Sequence, residues 1–197
     1  MKKKLAIEDV LSDFFGNQDV VRVAGIYSGI EHAYAPARKG ALLQTVREHY
    51  PKYDLMSTAH EIGHFVTAPI TRLDKINYGY KRIIGEWTVG AINLELDVIA
   101  RQKIIMDKKD INLLEDDYFG DLTALVENRG KTYILSVPGL REKIDLAGER
   151  RNFEVLKDHL RGEVEKRAKY VQNGYEGIVE EFHIRCKILA AGINAAA

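Results

Sequence analysis

Ser57-Thr58-Ala59-His60-Glu61-Ile62-Gly63-His64-Phe65-Val66 is the stretch on which the reading of this chain turns. An α-helix has 3.6 residues per turn, so side chains four apart share a face, and His60 and His64 can aim two imidazoles at one ion. Glu61 follows the first histidine and falls beside that site, where a carboxylate can take a proton from water activated by a metal. Ala59, Ile62, Gly63, Phe65 and Val66 carry no charge, as a helix buried around a site requires, because a buried charge needs its own partner. The pattern predicts a helix over residues 54–67, capped by Asp54 or Ser57 and ended before Pro69. The competing reading is a helix whose two histidines are satisfied core or cleft residues.

Working outward, the composition bounds what such a site can serve. A chain of 197 residues makes one domain, or one domain with a helical appendage. Hydrophobic residues are 46 % and charged residues 29 %, the balance of a soluble globular chain with a core to bury. Formal net charge is +0, which removes any global electrostatic case for nucleic acid as the main partner. No apolar run approaches the roughly 20 residues needed to span a bilayer. Met1-Lys2-Lys3-Lys4 resembles the start of a signal segment, but Glu8, Asp9 and Asp13 interrupt the apolar stretch that would have to follow. A lone Cys186 excludes an internal disulfide and a cysteine-based zinc site. The chain reads as cytoplasmic.

The apolar spacing of Leu5, Ile7, Val10, Leu11, Phe14 and Phe15 predicts a helix over 5–15, stopped by Gly16-Asn17. Val20 to Ile30 reads as a short strand and turn, 41–49 as a helix closed by Tyr50-Pro51, and 70–84 as irregular or hairpin-like. From Glu86 to Met106 runs a long apolar helix with Asn93, Glu95 and Asp97 as isolated polar residues, closed by Lys108-Lys109-Asp110. Lys131-Thr132-Tyr133-Ile134-Leu135-Ser136-Val137, ahead of Pro138-Gly139, carries the strongest strand signal of the chain. Residues 149–171 and 174–192 read as charged helices whose Glu149, Arg150, Arg151, Glu163, Glu165, Lys166 and Arg167 form a solvated face. The expected fold is mainly α with a small β-sheet or hairpin: a metal-site domain over 1–110, and a hairpin plus C-terminal helical region over 111–197 packed on it.

Two histidines hold zinc poorly, and a catalytic site has three protein ligands with the fourth position left for water. The extended pattern with a glycine and a third histidine is absent, since Thr67 and Ile70 stand there instead. His49, His159 and His183 read as surface or core residues. Glu95, on the second helix, sits amid Ile92, Leu94, Leu96, Val98 and Ile99, where a carboxylate needs a partner that a metal would supply. Asp97 can instead accept the second ring N–H of a ligand histidine, and Glu86 is a weaker ligand candidate. In the bland alternative Glu95 is exposed and pairs with Arg101 or Lys103.

His60-Glu61-Ile62-Gly63-His64, followed by Glu95-Leu96-Asp97-Val98-Ile99-Ala100, resembles the gluzincin layout of HExxH zinc metallopeptidases. Thr67, Arg72-Leu73-Asp74 and the spacing to the second acidic helix are similar to small intracellular enzymes related to antirepressor-type and antirestriction-type (ArdC-like) metalloproteases. The resemblance covers residues 55–105, about a quarter of the chain, and implies a zincin-like core with C-terminal helices. It also implies Zn²⁺ on His60, His64 and Glu95, Glu61 as general base, and a peptide or protein substrate. In many gluzincins the ligand glutamate precedes an acidic or amide residue by four positions; if Asp97 fills that later place, the ligand position falls on Asn93, a weak zinc ligand. Tyr78, Tyr80 and His32 are candidate donors to an oxyanion.

The same stretch through Val66-Thr67 and Ile70 also resembles HD-type metal-dependent nucleotide phosphohydrolases. That reading takes His32, His60, Glu61 and Asp97 to the metal, with Glu61 where the family has aspartate, and Pro36 disturbing the helix that must present His32. A third reading is a non-enzymatic helical binding protein with a degenerate motif, using the charge-rich C-terminal helices as its face.

Overall fold

In the computed structural model every regular element among the described residues, 12–15, 51–67, 87–147 and 149–194, is helical. The elements are α1 (Ser12–Phe15), α2 (Pro51–Thr67), α3 (Val89–Asp107), a 3₁₀ turn (Leu113–Glu115), α4 (Asp117–Arg129), α5 (Lys131–Ser136), α6 (Leu140–Ala147), α7 (Glu149–Ala168) and α8 (Gly174–Asn194). The chain divides into two compact units, residues 1–79 with 172–197, and residues 80–171. None of the described helices is long and apolar enough to cross a membrane.

The first unit is organised by aromatic side chains. On α2, Met56, Ala59, Ile62, Phe65 and Val66 are buried, a stripe at helical spacing. On α8, Tyr175, Ile178, Phe182 and Cys186 form the matching stripe. Phe182 stands edge-on to Phe65 at 5.1 Å between ring centroids and to Phe14 of α1 at 5.3 Å. Such pairs contribute about 0.5–1.5 kcal/mol each beyond their area. α1 is held further by Tyr175, whose hydroxyl donates to Asp13 Oδ2 at 2.6 Å, and by His183, whose Nε2 donates to the Asp13 carbonyl at 2.7 Å.

α3 is the central helix of the second unit. Ala91, Ile92, Leu96, Val98, Ile99, Ala100, Ile105 and Met106 are buried, on more than one face, as a helix covered on several sides requires. Thr88 caps its start by accepting the Ala91 N–H at 3.2 Å, and Lys108 caps its end. α7 packs against α3, α4 and α6, burying Leu156, Leu160 and Val164 at intervals of four. Gly130, between α4 and α5, is needed for close approach: a Cβ there would lie 2.8 Å from Ile92 Cδ1 and 2.6 Å from the Val126 carbonyl.

The expected β-sheet or hairpin is corrected: there is no strand among the described residues, and the predicted strand 131–137 is the helix α5. Its β-branched and aromatic residues give a strand preference of well under ~1 kcal/mol each, which packing overrides. A strand there would need a partner for its backbone groups. In the helix the Ile134 N–H donates to the Gly130 carbonyl at 3.0 Å, and Tyr133 is buried with its hydroxyl 3.1 Å from His159 Nε2 of α7. The strand expected at 20–30, the helix at 41–49 and the hairpin at 70–84 lie outside the described residues. α2 begins at Pro51, three residues earlier than predicted, so Asp54 and Ser57 are inside the helix rather than capping it. Proline is tolerated at a first helical position because its missing N–H has no intrahelical acceptor there.

Candidate metal centre

One turn of α2 carries the first two donors. His60 Nε2 and His64 Nε2 are 3.1 Å apart, with the rings edge-on, 4.7 Å between centroids. Two nitrogens bound to one tetrahedral zinc at 2.0–2.1 Å stand about 3.3 Å apart, so the pair already has nearly the bite an ion requires. Without an ion, the same separation is that of an Nε2–H donating to its neighbour's Nε2. Both histidines are half-buried, whereas Ala59, Ile62, Gly63, Phe65 and Val66 around them are buried, as their lack of charge predicts.

The last turn of α2 is closed by two hydrogen bonds. Thr67 Oγ1 donates to the Gly63 carbonyl at 2.6 Å, and Arg185 Nη1 from α8 donates to the Phe65 carbonyl at 2.9 Å.

One ligand atom from each of His60, His64 and Glu95 lies within 4.8 Å of the others, all three half-buried, and this group can hold a metal ion. Two imidazoles and one carboxylate are a donor set suited to zinc, with a fourth position left over. By their donor chemistry the three residues fit such an ion.

Asn93 and Asp97, two residues to either side of Glu95 on α3, are both bonded to α7. Arg167 of α7 donates through Nη1 to Asp97 Oδ1 at 2.7 Å and through Nη2 to Asn93 Oδ1 at 2.6 Å. Glu95 is about 200° around the helix from either, so the α3 face that meets Arg167 is not the face that carries Glu95. Lys103 pairs with Asp107, and Arg101 donates to the Asp97 carbonyl. His159 is bonded to Tyr133 and His183 to the Asp13 carbonyl. Burial lowers the His159 pKa from its ordinary value and pushes Tyr133 up to about 12.

The backbone of Glu61 is in α2, but its side chain lies outside the described residues, as do His32, His49, Tyr78, Tyr80, Glu86 and Arg72-Leu73-Asp74. Sequence reasoning missed Arg185 and the inward role of Arg167. Nothing in the local sequence separates these two arginines from the solvated ones.

Comparison with protein-family models, curated proteins and solved structures finds no match for this chain. Among the described residues the chain is helical and carries a His-His-Glu group able to hold a metal ion, consistent in general with a metal-dependent enzyme.

Proposed function

We propose that the chain is a zinc-dependent hydrolase, a metallopeptidase of the HExxH kind in which His60, His64 and Glu95 hold Zn²⁺ and Glu61 is the general base. The 3.1 Å spacing of the two Nε2 atoms carries the reading, because it approaches the bite of a single ion. A divalent ion held by His60, His64 and Glu95 would polarise a carbonyl and lower the pKa of water to about 7. Glu61, next in sequence to His60, accepts the proton of the attacking water and returns it to the leaving amine. A peptide or protein is the substrate class that this chemistry and the gluzincin resemblance share.

The HD-type alternative needs Asp97 at the metal, and Asp97 is bonded to Arg167. Its further ligand, His32, lies outside the described residues. Cleavage of casein and of mixed peptides by the zinc-loaded chain, set beside nucleotide phosphatase assays, tests the reading. Chelator-sensitive peptide cleavage lost in Glu61→Gln is expected. Nucleotide hydrolysis without peptide cleavage would overturn it in favour of the phosphohydrolase. Neither activity would leave a binding protein.

A further inference from the structure

The Arg185 guanidinium is charged and almost wholly buried, its side chain 9 % exposed. A buried cation is costly unless its donors are matched, and here they are aimed in two directions. Nε donates to Glu181 Oε1 at 2.5 Å, one turn back on α8. Nη1 donates to the Phe65 carbonyl at 2.9 Å. The last four carbonyls of a helix have no intrahelical N–H to accept from, and Phe65 is among those four in α2. Phe65 is also the residue after His64, and its ring packs edge-on against Phe182 of α8. A cation at a helix C-terminus is favoured by the helix dipole as well.

On this basis, and resting on the metal reading above, we infer that Arg185 is a positioning residue for the metal centre: it locks the last turn of α2 and with it the spacing of His64 from His60. Helix ends fray or tighten into 3₁₀ geometry, and either change rotates His64 out of register with His60. The 3.1 Å nitrogen separation holds only while the turn from 60 to 64 stays α-helical. Thr67 braces that turn from within by its bond to the Gly63 carbonyl, and Arg185 braces it from α8. Glu181 keeps the guanidinium aimed. Arg185 touches neither ion nor substrate in this scheme; it acts through the backbone beside a ligand, where loss of a supporting group costs about 10- to 100-fold in metal affinity.

The test is Co²⁺ titration of the purified full-length chain, read by the visible ligand-field spectrum, with Zn²⁺ competition for affinity and far-ultraviolet circular dichroism for helix content. Arg185→Met is expected to weaken Co²⁺ binding about tenfold or more and to change the band pattern at unchanged helicity. Arg185→Lys, which keeps a cation able to reach the carbonyl, is expected to recover most of the affinity. A folded Arg185→Met with wild-type affinity and spectrum overturns the inference. If Arg185→Met does not fold, Glu181→Gln decides: Glu181 is 39 % exposed and tolerates the change. A severalfold weaker, spectrally altered site supports the inference, and an unaltered site overturns it. Failure of the unaltered chain to bind Co²⁺ or Zn²⁺ defeats the metal reading itself, whereas normal binding in the variants defeats only the role of Arg185.

Discussion

Arg167 holds Asp97: Nη1 of the arginine is 2.7 Å from Oδ1 of the aspartate, and the same guanidinium reaches Asn93 one turn earlier on α3. Two contacts one turn apart fix the rotation of α3 about its own axis. Asp97 is thereby a partner of α7, and Glu95 lies about 200° around the helix, on a different face.

Removal of the two carboxylates therefore has different consequences. Glu95→Ala is expected to lower Zn²⁺ affinity about 10- to 100-fold, as loss of a ligand or its close support does. Asp97→Asn is expected to leave affinity within about threefold of wild type. Competition with a chromophoric chelator measures both. Equal losses in the two variants would mean that Asp97 reaches the ion.

Arg167→Met deletes the bonds to Asn93 and Asp97, and also the longer contact to Glu163 Oε2 at 3.5 Å. Hydrogen bonds to charged groups contribute about 1.5–3 kcal/mol when buried. The side chains of Arg167 and Asp97 are 22 % and 41 % exposed, so solvent screening reduces the expected loss to about 1–2 kcal/mol. Urea unfolding followed by circular dichroism checks this, and a loss under about 0.3 kcal/mol would show the fork to be dispensable.

Glu61→Gln removes the proton acceptor and leaves the ligands in place. Metal content and thermal midpoint should match the wild type, while peptide hydrolysis falls at least about 100-fold. Turnover retained in this variant would contradict the assignment of the base.

Stability should fall in mild acid through His159. Burial, the largest influence, lowers its folded-state pKa below the ordinary 6.5, with nearby Glu163 opposing and Lys143 assisting. The native state thus binds fewer protons than the unfolded chain between those two pKa values. The contribution of the neutral ring is complete above about pH 6.5 and is lost as pH falls through the folded pKa. His159→Gln, which keeps a polar group for Tyr133, should flatten the thermal midpoint between pH 7 and pH 5. The same acid dependence in wild type and variant would count against His159 as its source.

Helical spacing made α2, α3, α7 and α8 readable from sequence to within a few residues at each end, because their apolar stripes recur over four or more turns. Lys131 to Val137 was misleading for the opposite reason. Seven residues are too few for periodicity to outweigh β-branched composition, and the deciding contact, Tyr133 with His159, spans 26 positions. The two histidines of the centre were legible because they lie one turn apart. Glu95 was legible only as a carboxylate in apolar company, and its separation from Asp97 required the position of Arg167. Arg167 itself reads as one more charge on a solvated helix, since burial of a charged residue depends on which helix packs against it.

The central claim is tested most directly by the zinc content of the purified full-length chain, determined by elemental analysis after equilibration with excess Zn²⁺ and gel filtration, beside the His60→Ala/His64→Ala double variant. The account predicts about one zinc per wild-type chain and none in a double variant of unchanged helicity. A wild-type chain that elutes without zinc, or a double variant that keeps it, would contradict the account.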